Sequence, residues 1–460
     1  GGGAGVQGTR REKNIALVDM DIRSREGLVG DPELAARVER VDCYALAQTD
    51  LSGYLGLVVP AMVDQEYLAG HAEVIARYLD GGGVVVFGGH LHRPWLPGTS
   101  PFAPLEVRSF RSYQVAAVAD HPVFAGVDPA DLTFRRGVAG FFARGHHPLP
   151  DHPVEVLTRL AGGEPATYVD RHASAGTVLV HASCDLLGYH GLEGSTAARI
   201  PSQLLDWVAA EGRRRRQERP VGRRPGPPVR GARTPVTGAG ASPAGGRAGG
   251  GLAAVYGGSA QHHRTLTAPK YARHLTGGFI YLPDLAGADL RGLDGLVIPE
   301  RLHRRLLTEA APRVCDLLDA GGTVAAFAGG EPLPEFLPGV RFEPRPTNYW
   351  WWLEPGADLG LRTPSPGHSL FEHLELADCT WHYHGVLDPP AGAEVLVTLP
   401  GGEALLYVDR VSTAGTLVVS TLDPISHYGS YFMPATERFL DGFWPWLSAS
   451  LTGERAGRRP

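Results

Sequence analysis

The residues best suited to chemistry are histidines and aspartates that follow short apolar runs. His90 and His92 come after Val84–Phe87, and Asp185 and His190 come after Thr177–Ala182. Asp423 and His427 are the counterparts of the second pair further along the chain. If these runs are strands of an open α/β sheet, their C-terminal ends form the edge where ligands bind. An aspartate with a nearby histidine can orient a general base there. Asp170-Arg171 and Asp409-Arg410 end two further runs beside glycine turns. They have two readings: ligand contacts, or a charge-assisted pin that holds a hairpin.

Histidine pairs raise the question of a metal. His90-x-His92, His146-His147, His262-His263 and His382-x-His384 all occur. An HxH pair on a strand points both imidazoles to one face. The pairs do not recur at equivalent places in the two halves, and spacing supplies no third ligand. No metal and no cofactor is therefore assigned. Tyr349-Trp350-Trp351-Trp352, together with Trp381, Tyr383, Trp444 and Trp446, enriches the later part of the chain in aromatics. Trp351 and Trp381 could stack on sugar rings or a protein partner, or could fill a loop-covered core. The four cysteines, Cys43, Cys184, Cys315 and Cys379, form no CxxC pair. Neither a disulfide framework nor a thiolate zinc site is indicated.

These residues are carried by an internal repeat. Leu57-Val58-Val59-Pro60 returns as Leu296-Val297-Ile298-Pro299, and Tyr168-Val169-Asp170-Arg171 as Tyr407-Val408-Asp409-Arg410. Gly162-Gly163-Glu164 returns as Gly401-Gly402-Glu403, and Ala175-Gly176-Thr177 as Ala414-Gly415-Thr416. His121-Pro122-Val123-Phe124 matches His368-Ser369-Leu370-Phe371 with a shifted spacing, as loop insertions produce. Two domains follow, 13–212 and 252–451. The stretch 213–251 holds ten arginines and one acid, Glu218, with almost no large apolar side chain. It cannot bury a core, so a flexible linker is expected. It lacks interleaved aromatics for base stacking, which leaves a nucleic-acid arm as the lesser reading.

Within the first half, strands are expected at Ile15–Met20, Cys43–Ala47, Leu57–Pro60, Val84–Phe87, Val154–Leu160, Ala166–Val169 and Thr177–Ala182. A helix capped by Asp64 lies between the third and fourth. Strand, helix, strand at this spacing implies a parallel sheet. In the second half Pro312 must kink the corresponding helix, 302–318, or mark its true start.

This order resembles the class I glutamine amidotransferase-like superfamily, in particular its ThuA-like and β-galactosidase middle-domain branch. The likeness is carried by Tyr78-Leu79-Asp80-Gly81-Gly82-Gly83 leading into Val84–Phe87, by the His121–Gly126 turn, and by the series Asp170-Arg171, Gly176, Asp185. It implies two flavodoxin-like α/β domains. It also implies a thiolate on a sharp turn after the central strand, which glutamine hydrolysis requires. The turns are Gly88-Gly89-His90-Leu91-His92 and Ala328-Gly329-Gly330-Glu331, and neither holds a cysteine.

Three functions fit. The first is a ligand-binding or scaffold protein without glutaminase activity, whose partner is a small molecule or protein and whose halves could pair with each other. The second is a ThuA-like enzyme acting on a carbohydrate or related polar metabolite through Asp185, His190, Asp423 and His427. The third is a regulator that uses the basic linker on nucleic acid. The 460 residues are 43% hydrophobic and 20% charged, with net charge −6. That suits a globular chain without a general affinity for polyanions. No apolar run is long enough for a membrane helix. Gly1–Lys13 has no apolar core, so no signal peptide is expected there, and four cysteines without a CxxC pair make a reducing cytoplasm the expected location.

Overall fold

The computed structural model describes residues 13–22, 31–218, 250–329, 331, 333–346, 350–431 and 433–457. Most of the expected linker, together with Gly330 and Tyr349, lies outside them. The chain divides into two compact units. One is built largely from residues up to 218 and the other from residue 250 onward. Each is described by itself below.

The first unit carries an eight-stranded sheet. Its strands are β1 (Ile15–Asp19), β2 (Val38–Asp42), β3 (Gly56–Val59), β4 (Val84–Gly89), β5 (Val115–Val118), β6 (Glu155–Leu160), β7 (Pro165–Asp170) and β8 (Thr177–Ala182). They lie in the order β2-β1-β3-β4-β8-β7-β6-β5. β1 to β4 and β8 are parallel, and β7, β6 and β5 continue the sheet as an antiparallel run. The parallel centre is apolar because both faces are covered: Leu57, Val59, Val84 and Val85 are fully buried.

The second unit has nine strands: β9 (Leu252–Tyr256), β10 (Gly278–Tyr281), β11 (Gly295–Ile298), β12 (Thr323–Phe327), β13 (Phe342–Pro344), β14 (Gly385–Leu387), β15 (Glu394–Thr398), β16 (Ala404–Asp409) and β17 (Thr416–Ser420). Their order is β10-β9-β11-β12-β17-β16-β14-β13, with β15 also paired to β16. Both units are therefore α/β with mixed, mostly parallel sheets.

Two helices, α1 (Gln65–Gly70) and α2 (Ala72–Asp80), connect β3 to β4. The Asp64 carboxylate accepts the Tyr67 N–H at 3.0 Å and caps the first. The expected single helix breaks at His71. A last helix of the first unit, α3 (Ile200–Gln217), runs past the expected domain end at 212. In the second unit α4 (Ala260–Thr267) follows β9, and α5 (Arg304–Glu309) and α6 (Ala311–Asp319) precede β12. Pro312 opens α6, where its missing N–H costs no helical hydrogen bond. Then come α7 (Pro424–Gly429) and α8 (Pro434–Gly457). No helix among the described residues is long and apolar enough to cross a membrane.

One strand expectation is overturned. Cys43–Ala47 is not a strand but part of a 3-10 turn, Cys43–Gln48, in which the Asp42 side chain accepts the Tyr44 N–H at 2.8 Å. The strand is β2, just before it. β2 lies at the sheet edge and exposes Glu39 and Arg40, so its sequence has no apolar run to betray it.

The repeat is visible in detail. Gly163 and Gly402 occupy the same left-handed turn position, each at φ 93°. A Cβ on Gly176 would sit 2.3 Å from the Gly83 carbonyl oxygen, and one on Gly415 would sit 2.1 Å from that of Gly322. His121 Nδ1 accepts the Val123 N–H at 3.2 Å, and His368 Nδ1 accepts the Leu370 N–H at 3.1 Å. The two rings rest on Trp207 and Trp446 at 5.3 and 5.8 Å.

Candidate functional site

In the first unit the turn after β4 is held by a residue that sequence patterns did not single out, the fully buried Gln65. Its Nε2 donates to the His90 carbonyl at 2.7 Å, and its Oε1 accepts the His92 N–H at 3.0 Å and the Trp95 indole N–H at 3.2 Å. His90 stacks on Phe102 at 3.7 Å, and its Nε2 contacts Ser183 Oγ at 3.0 Å. His147 Nε2 accepts the Leu91 N–H at 3.1 Å, and burial drives its pKa down to about 3. These histidines are spent on shaping the loop.

Asp185 and His190 are not brought together by any hydrogen bond. Asp185 Oδ1 accepts the Ala61 N–H at 2.8 Å, and burial pushes this carboxyl up to about 7. His190 ends the short turn Leu186–Tyr189. Cys184 lies 3.3 Å from His181 Nε2, but burial pushes its thiol up to about 12 and the His181 imidazole down to about 4. A thiol kept protonated beside a neutral imidazole is not an activated nucleophile.

Asp170 and Asp409 do not lie at the edge that carries His90 and Asp423. Each ends its own strand, but β7 and β16 run antiparallel to their neighbours, and Asp170 pairs with Val178 and Asp409 with Leu417 near the strand starts. The ligand-edge argument holds for parallel strands only. Asp170 Oδ1 accepts the His172 and Ala173 N–H groups at 2.8 and 3.0 Å, and Asp409 Oδ1 accepts those of Val411 and Ser412 at 2.8 and 3.1 Å. Arg171 donates to Glu211 on α3 at 2.8 Å and to Glu155 at 2.7 Å. Arg410 is exposed next to the second turn.

In the second unit the corresponding edge is a dense ionisable cluster. Asp423 follows β17 and is fully buried. Its Oδ2 lies 2.8 Å from His384 Nε2 and 3.0 Å from His427 Nε2, and its Oδ1 lies 3.2 Å from His382 Nε2. The Trp381 indole N–H donates to Oδ1 at 3.2 Å, and Arg301 Nη2 stands 3.5 Å from Oδ2. His427 reaches the carboxylate because it follows Asp423 by one turn of α7. His384 reaches it because its own N–H donates to Thr421 O at 3.3 Å, just beyond β17. Burial alone would raise the Asp423 carboxyl, but His427, His384 and His382 outweigh it and hold the group well below the usual carboxylate range.

Two further buried carboxyls stand at the same edge. Glu300 follows β11, and its Oε1 accepts the Ser426 N–H at 2.5 Å. Burial, reinforced by the Asp423 charge, pushes it up to about 8. Glu331 occupies the turn after β12, accepts the Arg301 N–H at 2.5 Å and is also raised by burial. Arg301 itself holds a left-handed backbone, φ 60°, a conformation that costs a non-glycine residue energy and persists where surrounding contacts enforce it. A cleft lined by Ile298, Leu302, Phe327, Glu331 and Pro334 opens beside this turn.

The two units can be aligned at this edge through their strand pairs. Pro104 pairs with Gly145 in the first unit, and Pro344 pairs with Gly385 in the second. His382 then corresponds to Phe142 and His384 to Arg144. By the offset of the Tyr-Val-Asp-Arg repeat, Asp423 corresponds to Cys184 and His427 to Gly188, which corrects the expected pairing with Asp185 and His190. All four cluster residues are thus replaced in the first unit.

Of the sequence candidates, Asp423 and His427 are joined directly, and Trp381 supports them. Trp381 is buried, with its ring 5.5 Å from Phe439, and is no stacking platform. The Trp351 indole donates to the Trp381 carbonyl at 2.7 Å. Trp352 is exposed, at 47%. His382 and His384 were noticed as a pair but not tied to Asp423, which lies about forty residues away in sequence. Glu300, Arg301 and Gln65 carried no sequence signal beyond falling just after β-branched runs.

No protein-family model matches the chain, and no curated protein matches it. Among solved structures it is distantly similar to an exo-β-1,4-mannosidase, Op5Man5, from Opitutaceae bacterium strain TAV5, at 12% identity and TM-score 0.25 over 56% of this chain and 39% of that one. It is similar to the mmIFT52 N-terminal domain at 14% identity and TM-score 0.27, over 42% of this chain and 97% of that one. It is similar to Gan42B, a GH42 β-galactosidase, at 13% identity and TM-score 0.27, over 86% and 53%. The chain spans well under two thirds of the mannosidase. Likenesses this slight carry no argument about activity.

Proposed function

We propose that this is a tandem amidotransferase-like protein without glutaminase activity, in which the second unit binds a small polar ligand and the first is a scaffold. One observation carries the reading. His382, His384 and His427 converge on the buried Asp423 at a strand C-terminal edge, while Phe142, Arg144, Cys184 and Gly188 stand at the same places in the first unit. Buried ionisable groups are costly to keep and gather where a protein does chemistry or binding.

The same edge favours acid–base catalysis as a second reading. Asp423 is held ionised, while Glu300 is pushed up to about 8 and stays protonated at neutral pH. Two carboxyls driven apart in this way can serve as base and acid on a carbohydrate or related metabolite.

A thermal-shift screen against sugars, sugar phosphates, nucleotides and amino acids tests the binding reading. A ligand at about a hundred times its Kd stabilises the native state by about 2.7 kcal/mol. A shift seen with the intact protein and lost in Asp423→Asn is the expected result. A shift that survives in Asp423→Asn, or no shift from any class, counts against it.

A further inference from the structure

We propose that His382, Asp423 and His427 form a binding site for a divalent transition-metal ion of the zinc type, held at the C-terminal edge of the second sheet. This deepens the binding reading by naming the first ligand of that site. The geometry is the argument. One donor atom from each of the three residues falls within a single 4.8 Å group. His382 Nε2 and His427 Nε2 are 3.1 Å apart, His427 Nε2 is 3.0 Å from Asp423 Oδ2, and His382 Nε2 is 3.2 Å from Asp423 Oδ1. Neighbouring ligands around an ion with bonds of about 2.0–2.2 Å are spaced by about 2.8–3.1 Å in an octahedral set and about 3.3–3.6 Å in a tetrahedral one, and the three separations here fall at or just above the octahedral spacing.

The donor chemistry selects the class of ion. Two imidazoles and one carboxylate suit zinc and its borderline neighbours, whereas magnesium and calcium take oxygen ligands. The surroundings supply the orienting contacts that metal ligands need. The Trp381 indole fixes Oδ1, and His384 fixes Oδ2. His427 and Asp423 share a turn of α7, and His382 is held next to Trp381, itself buried against Phe439. Three protein ligands leave coordination positions for a further group. Arg301, whose side chain is 30% exposed and 3.5 Å from Oδ2, is placed to favour an anionic oxygen donor, such as a carboxylate or phosphate, in one of them. The first unit cannot repeat the site, because Phe142 and Gly188 provide no ligand atom where His382 and His427 stand.

The test uses the full chain without a polyhistidine tag, stripped with chelator and titrated with zinc or cobalt. Cobalt is read by its visible absorption and zinc by equilibrium dialysis, with magnesium as comparison. One equivalent of zinc or cobalt per chain is expected, with at least a tenfold loss of affinity in His382→Ala and in His427→Ala. His146→Ala, in the first unit, is expected to bind as the parent does. Circular dichroism identifies any variant that fails to fold, and the milder His427→Gln replaces it in that event. Absence of stoichiometric binding, or binding undiminished in the His382→Ala/His427→Ala double variant, overturns the proposal. The ligand screen, run on stripped protein, separates the two ideas. An organic ligand lost in Asp423→Asn without metal binding leaves the broader reading standing, and metal binding without any organic ligand leaves the metal site alone.

Discussion

The turn after β8 and the turn after β17 occupy the same place in two copies of one fold, yet they solve burial in opposite ways. After β8, Cys184 sits under burial with its thiol protonated, near a neutral His181 and the Phe142 carbonyl. After β17, Asp423 keeps its charge because three imidazoles surround it. The scaffold is common to both: matching glycine contacts, His-capped turns and Tyr-Val-Asp-Arg strands. What differs is whether the buried polar group is discharged or paired. A duplicated fold can hold its shape with either solution, but only the paired one presents charge to a ligand.

The sharpest way to break this comparison is to remove the central group on each side. Asp423→Ala leaves Arg301 without its counter-charge and the Trp381 and His384 ring nitrogens without their buried partner, and a loss of about 3–5 kcal/mol is expected. Cys184→Ala removes a small, partly buried group and is expected to cost about 1–2 kcal/mol. Denaturant unfolding that resolves the two units measures both, and equal losses would show that Asp423 is no more central than Cys184. The shared scaffold predicts the reverse pattern for glycine. Gly176→Ala and Gly415→Ala force a Cβ against a carbonyl oxygen at 2.3 and 2.1 Å, so each is expected to cost more than about 2 kcal/mol. A loss in one unit only would mean the copies diverge in their framework as well.

A smaller effect follows from pH. Asp185 is pushed up to about 7 by burial, above an unfolded value of about 3.9. The folded state holds this proton longer than the unfolded chain, so its stability falls as pH rises from about 4 to 7 and then levels off. Asp185→Asn keeps an acceptor for the Ala61 N–H and removes the charge. It is expected to raise the melting temperature of the first unit at pH 8 and to leave it unchanged near pH 4. The smallest effect is expected of Trp352→Ala, within about 0.5 kcal/mol, because the side chain is half-exposed. A larger loss in thermal unfolding would place Trp352 in the core.

The sequence disclosed what depends on local pattern. Leu57–Val59 and Thr177–Ala182 read as buried strands because both faces are covered, and the duplicated turns read as a repeat because their glycines are required. β2 stayed hidden because an edge strand with Glu39 and Arg40 outward has no apolar run. Asp170 and Asp409 were placed at the wrong edge because strand direction is a tertiary property. Half of the Asp423 cluster was legible, since Asp423 and His427 are a helical turn apart. His382 and His384 were not joined to them, because that contact depends on the segment leading into β14 reaching Thr421 at the end of β17.

That split has a kinetic side. Asp423 and His427 meet as soon as α7 winds, a local step, whereas His382 and His384 arrive only when a segment about forty residues upstream closes onto Thr421. A contact across about forty residues carries a loop-closure entropy that a contact within one helical turn does not. The completed cluster is therefore a marker for the assembly of the second sheet: any probe that needs all three imidazoles around one carboxylate reports the non-local contact as well as the local one.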